Sequence, residues 1–196
     1  MRRGRSKAEY IPGRYEAPKD VLYTSRTGEE MSKATQKAPI YLYSDLCSRV
    51  KRDGIHKVLN QMFAKSHDNL ILLQDPNEPN SGHWISVSIF PARKEIYFFS
   101  SYGGKPDQEK NRWMSASQRL SSGQDTNVFL DGLRDMQLRG WTIHYNDHQY
   151  QQEGDETATC GIWTAAFLRS KLNPEQFYKK HLDEHKTVNQ YFREYF

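Results

Sequence analysis

GHWISVSIFPARKEIYFFS, residues 82–100, decides the reading of the fold. From Trp84 to Phe90 the residue types alternate with a period of two, as a strand requires when its two faces meet different surroundings. Pro91-Ala92-Arg93-Lys94 interrupts that pattern, and the aromatic run Glu95–Ser100 follows it, so the stretch predicts a hairpin-like pair of strands. Immediately upstream, NLILLQ (69–74) is a short apolar run typical of a buried strand, and downstream WTIHY (141–145) reads as another.

Helical patterns surround these strands. Ser44 can cap a helix with Asp45 in its first turn, and Leu46, Val50, Val58, Leu59, Met62 and Phe63 form an apolar face broken near Gly54. Further helices are expected around Gln108–Leu120 and from Asn127 to Leu138, the latter ending at Gly140. CGIWTAAFLRSKL reads as a mostly buried helix starting at about Cys160, and PEQFYKKHLDEH and VNQYFREYF close the chain. The order of elements predicts an α+β fold with a central mixed β-sheet flanked by helices. Residues 1–38 lack either periodicity and are expected to be a basic, loosely structured N-terminal arm, leaving 39–196 as the functional domain.

Composition narrows the function classes. The 196 residues suffice for one domain with a real core. Twelve Tyr and four Trp supply bulky core material where aliphatic content is modest. No stretch approaches the roughly 20 apolar residues of a membrane span, and the basic start MRRGRSK is followed by no apolar region of a secretion signal. Two cysteines, Cys47 and Cys160, offer neither a disulfide framework nor a Cys-based structural zinc site, which predicts a reducing, intracellular setting and no cofactor or metal. The net charge of +4 equals the charge of Arg2, Arg3, Arg5 and Lys7, so a basic arm precedes a nearly neutral body. Such an arm is either a solvated tail or a salt-dependent DNA contact.

Three segments carry candidate chemistry: Ser81-Gly82-His83-Trp84, Phe98-Phe99-Ser100-Ser101-Tyr102-Gly103, and Gln149-Tyr150-Gln151-Gln152 followed by Thr159-Cys160-Gly161. A thiol in the first turn of a helix feels the positive end of the helix dipole, which favours the thiolate, and a nearby imidazolium favours it further. Gly161 would let backbone approach a substrate, and amides at a helix start can point at an oxyanion. His83, at the mouth of a strand, is the imidazole with the best context to serve as base. Against this stands the plain alternative that Cys160 is a small buried hydrophobe and His83 a structural histidine beside Trp84.

In order and context these segments resemble the adenovirus-type and SUMO-deconjugating (Ulp-type) cysteine proteases of clan CE. Those proteases carry His-Trp at the start of one strand, an acid at the end of the next, and a Gln before a Cys-Gly. The text GHWISVSI…IYFFSSYGGKPD…QYQQ…TATCGIW is most similar to maturation proteases of DNA viruses and virus-like transposons, over about Ile40 to Leu172. The resemblance implies an adenovirus protease/Ulp-like fold, Cys160 as nucleophile, His83 as general base, and a Gln side chain completing an oxyanion hole. Gln151 is the choice for that Gln, with eight residues between it and Cys160; Gln152 and Gln149 remain alternatives. Trp84 and Gly161 would contact substrate.

One position departs from the family. The acid that should orient the imidazole falls at Ser100, seventeen residues after His83. A hydroxyl can fix the ring by hydrogen bonding but cannot stabilise an imidazolium by charge. The site is therefore expected to work as a Cys-His pair with Ser100 as a weak orienter. The other readings are that Asp107 or Asp147 swings in, or that the domain is a non-catalytic relative. The expected function is a cysteine endopeptidase processing viral structural or precursor proteins in the host cytoplasm or nucleus, or packaged in the virion. The alternatives are a deconjugating protease for ubiquitin-like proteins and a non-catalytic binding module.

Overall fold

The computed structural model describes residues 25–78, 81–151 and 158–196. Its strands are β1 (Ile40–Leu42), β2 (Asp68–Gln74), β3 (Gly82–Phe90), β4 (Glu95–Ser100) and β5 (Thr142–Tyr145). They form one mixed sheet in the order β1-β2-β3-β4-β5, with β2–β3 and β3–β4 antiparallel and the outer pairs parallel. The helices are α1 (Gly28–Ala34), α2 (Tyr43–Asp53), α3 (Ile55–Lys65), α4 (Gln108–Trp113), α5 (Ala116–Ser121), α6 (Val128–Leu138), α7 (Cys160–Ser170), α8 (Pro174–Glu184) and α9 (Val188–Tyr195). The α+β expectation and the β3–β4 hairpin hold, the hairpin turning through a 3₁₀ segment at Pro91–Arg93.

Both faces of the sheet are covered, so period-two alternation in β3 sorts residues between two cores. Ile85, Val87, Ile96 and Phe98 pack with Leu46, Val58, Phe129 and Leu133 of the α2, α3 and α6 layer. Leu70, Leu72, Trp84, Tyr97 and Phe99 pack on the other side with α1, α7 and the C-terminal helices. Ser86 and Ser88, on the Trp84 face, are buried and small. They leave room for α7 to lie against β3, where Thr164 Oγ1 donates to Trp84 O at 3.1 Å. Helix α7, buried from Cys160 to Leu168, thus has its first residue, Cys160, brought to the end of β3.

Several local expectations change. Ser44 does not cap α2; it is the second helical residue, and its hydroxyl donates to Gln74 Oε1 at 2.6 Å. The helix expected over Gln108–Leu120 is two short helices, because Ser115 starts a new capping box with Gln118. The arm expected through residue 38 is corrected for residues 25–38. Thr27 and Glu30 form a capping box for α1, and Met31 and Ala34 are fully buried against the α7 side of the sheet. The capping box is legible in TGEE; what hid the helix is its length, too short to show a period. Arg2, Arg3, Arg5 and Lys7 lie outside the described residues. Among the described residues no helix is long and apolar enough to cross a membrane.

Candidate active site

In the antiparallel β3–β4 pair Ser100 stands opposite Ile85, and His83 lies two residues further along the same face of β3. Imidazole and hydroxyl therefore meet diagonally, and His83 Nε2 lies 3.0 Å from Ser100 Oγ. The Ser100 hydroxyl donates to Glu109 Oε1 in a short hydrogen bond and accepts from the Tyr102 amide at 3.3 Å. Its single proton being used on Glu109, Ser100 can only accept from the imidazole, which assigns the Nε2–H tautomer of His83. Glu109 Oε2 is itself 3.3 Å from Nε2. Nδ1 then carries a lone pair, and it is buried with no hydrogen-bond partner. Burial pushes the imidazole down, to about 3.

Cys160 is the first residue of α7, and no side chain caps that helix start. The thiol is 6% exposed and borders the same cavity as His83. Burial pushes the thiol up, while the backbone amides of Trp84, Gly161 and Cys160 itself act on the sulfur in the opposite direction. Thiol and imidazole are each shifted toward the neutral form, so the cavity they share is bordered at rest by a neutral thiol and a neutral imidazole rather than a preformed ion pair.

The Gln151 side chain is buried and lines this cavity. Its backbone amide and that of Tyr150 both donate to Ser101 O, at 3.1 and 2.8 Å, which ties the loop to the residue after Ser100. Ser101 Oγ donates to Gln151 Oε1 at 3.4 Å. Gln149 is exposed, and Gln152 lies outside the described residues. The cavity holds about 450 Å³, with Tyr102, Trp113 and Met114 among its walls together with Leu73–Asn77 and Ser81. The Tyr102 and Trp113 rings crowd the imidazole, with centroids 4.6 and 5.4 Å away.

His83, Ser100, Gln151 and Cys160 are thus brought together. Trp84 and Gly161 are not where a substrate contact was expected. Trp84 is buried in the core and its Nε1 donates to Arg26 O at 2.9 Å, so the aromatic walls of the cleft come from Tyr102 and Trp113 instead. A side chain at Gly161 would meet Arg26 Cγ at 2.8 Å and Met31 Sδ at 3.0 Å, so its smallness admits the 25–34 segment rather than a substrate. Asp107 does not reach His83: it accepts from the Phe129 and Leu130 amides at 3.0 and 2.8 Å and from the Tyr43 hydroxyl. Asp147 is exposed beside His148. Glu109 is the residue that sequence reasoning missed. Its signal was weak, an acid in the first turn of a short polar helix nine residues after Ser100. Among the described residues Asp147, His148 and Glu175 bring ligand atoms within 4.8 Å of one another, on the surface, and none of them borders the cavity.

No protein-family model matches the chain. It is similar to uncharacterized protein V9 of Sputnik virophage, 29% identical over 150 residues, which are 76% of this chain and 77% of that protein.

Proposed function

We propose that the chain is a cysteine endopeptidase with Cys160 as nucleophile and His83 as general base, acting on viral structural or precursor proteins. The observation that carries the reading is the state of His83: one ring nitrogen is held by Ser100 while the other is buried, unprotonated and unpartnered in the cavity that Cys160 borders. His144 and His181 also bury a ring nitrogen without a hydrogen-bond partner; among these three, His83 is the one that borders the cavity with Cys160 and has its other nitrogen held by Ser100.

In this reading Cys160 Sγ attacks the scissile carbonyl carbon as its proton passes to His83 Nδ1. The developing oxyanion takes hydrogen bonds from the Cys160 amide at the uncapped start of α7 and from the Gln151 side chain, each worth about 3–4 kcal/mol where such donors are removed in other enzymes. The imidazolium returns the proton to the departing amine, leaving a thioester. A water then gives its proton to Nδ1, attacks the thioester carbonyl, and releases the acid and the thiol. Crowding of the cleft by Tyr102 and Trp113 favours small residues beside the cleaved bond. The virophage origin of the similar protein agrees with a viral precursor as substrate.

The test is incubation of wild-type and Cys160→Ala protein with capsid precursors from virophage-like genomes, with cleavage read by mass spectrometry. Wild type is expected to cut at a small residue and Cys160→Ala to leave the precursors intact. Release of a ubiquitin-like protein from conjugates, with precursors untouched, would move the substrate to the deconjugating class. Equal cleavage by both proteins would reject the nucleophile.

A further inference from the structure

We infer that Glu109, delivered from helix α4 rather than from the strand and acting through Ser100, is the positioning residue that supplies the charge His83 needs. The inference rests on the Cys160–His83 reading and adds to it the source of the base's strength.

A lone Ser100 could hold the ring but could not stabilise an imidazolium. Glu109 changes that in two ways. Its Oε1 takes the Ser100 proton, which leaves Ser100 only acceptor capacity toward Nε2–H and so selects the tautomer with a basic Nδ1. Its Oε2, 3.3 Å from Nε2, places a carboxylate next to the charge that appears on the ring when Nδ1 takes the thiol proton. Both side chains are nearly sealed from water, at 4% and 7% exposed, so this attraction is little screened.

The carboxylate is also held in place. Close to it in sequence are two buried anchors: Asp107 caps α6, and Lys110 Nζ donates to Gln124 O, Thr126 O and Asn127 Oδ1 at 2.9, 2.8 and 3.2 Å. Opposite Glu109 lies Gly104, where a Cβ would stand 2.8 Å from Oε1 and 3.1 Å from Cγ. The absence of a side chain there makes the room the carboxylate occupies. Where the resembled proteases put an acid on the strand, this chain has a hydroxyl on the strand and the acid one step behind it.

The test needs no substrate: the rate at which iodoacetamide modifies Cys160 is measured against pH in folded wild type, Glu109→Gln, His83→Ala and the double variant Ser100→Asp/Glu109→Gln. Glu109→Gln keeps size and an acceptor for the Ser100 proton but removes the charge. It is expected to slow modification near neutral pH at least about tenfold, with thermal stability close to wild type. The double variant moves a carboxylate onto the imidazole, with the new side-chain amide at position 109 donating to it, and is expected to regain most of the rate. Wild-type rate and pH profile in Glu109→Gln would overturn the inference while leaving the Cys-His reading intact, provided His83→Ala is slow. A slow Glu109→Gln that Ser100→Asp does not rescue would also overturn it, as a purely structural effect. Indifference of Cys160 to His83→Ala would remove the reading itself. If Glu109→Gln does not fold, Ser100→Ala in the wild-type background breaks the same link and is expected to be slow; a wild-type rate there overturns the inference.

Discussion

At Ser100 one hydroxyl proton decides the direction of three hydrogen bonds. Because it goes to Glu109, the imidazole donates from Nε2 and keeps its lone pair on Nδ1. This reverses what the sequence alone implies for the substitution Ser100→Asp. Read from the strand, an acid at position 100 restores a missing partner and raises reactivity. In the folded chain it places a second carboxylate against Glu109 in a sealed site, where the pair must retain a proton. Ser100→Asp with Glu109 present is therefore expected to lose about 1–3 kcal/mol of stability at neutral pH, and to gain no Cys160 reactivity. The sign follows from the raised carboxyl: the loss is fully present above its folded pKa and is relieved as pH falls through it. Thermal unfolding of the variant and wild type at pH 7.5 and 5.5 checks this; a variant as stable as wild type at pH 7.5, or more reactive, contradicts it.

Among the elements, those with a strong period were legible and those held by single polar anchors were not. β3, β4, α6 and α7 announce themselves through alternation or a buried apolar face, and His83 and Cys160 sit at the ends of two of them. Helix α4 does not: QEKNRW is polar except for its last residue, Trp113, is six residues long, and carries the fully buried Lys110. Its place is set by hydrogen bonds to carbonyls of residues 124–126, a tertiary arrangement with no sequence period, and so the position of Glu109 was invisible. Likewise nothing local in TGEEMSKA reveals that Met31 fills space left by Gly161. Lys110→Met retains the stem and removes the donor, leaving two main-chain acceptors short of a buried partner. It is expected to lower unfolding free energy by about 3 kcal/mol, measured by denaturant titration. A loss below about 0.5 kcal/mol, the range of ordinary surface substitutions, would show that Lys110 does not anchor α4.

Across the whole molecule, the sheet separates the candidate base from the candidate nucleophile, and one end of its central strand brings both to a shared cavity. His83 lies on the face of β3 covered by α2, α3 and α6, and meets Ser100 and Glu109 there, whereas Cys160 begins the helix that covers the opposite face. They meet at the end of β3, where the β4–α4 turn, the Gln151 loop and Ser25 also line the cavity. Both cysteines are buried, but only Cys160 borders that cavity; the Cys47 thiol donates to Thr126 O at 3.6 Å and burial pushes it up. The most direct test of a Cys160–His83 pair uses this difference: a thiol-directed electrophile is applied to native wild type and His83→Ala, and the modified residue is mapped by mass spectrometry. The account predicts that Cys160 is modified in native wild type, that Cys47 reacts only after denaturation, and that His83→Ala slows the reaction at Cys160. A native protein in which Cys160 stays silent, or reacts no faster than Cys47 and without regard to His83, would contradict it.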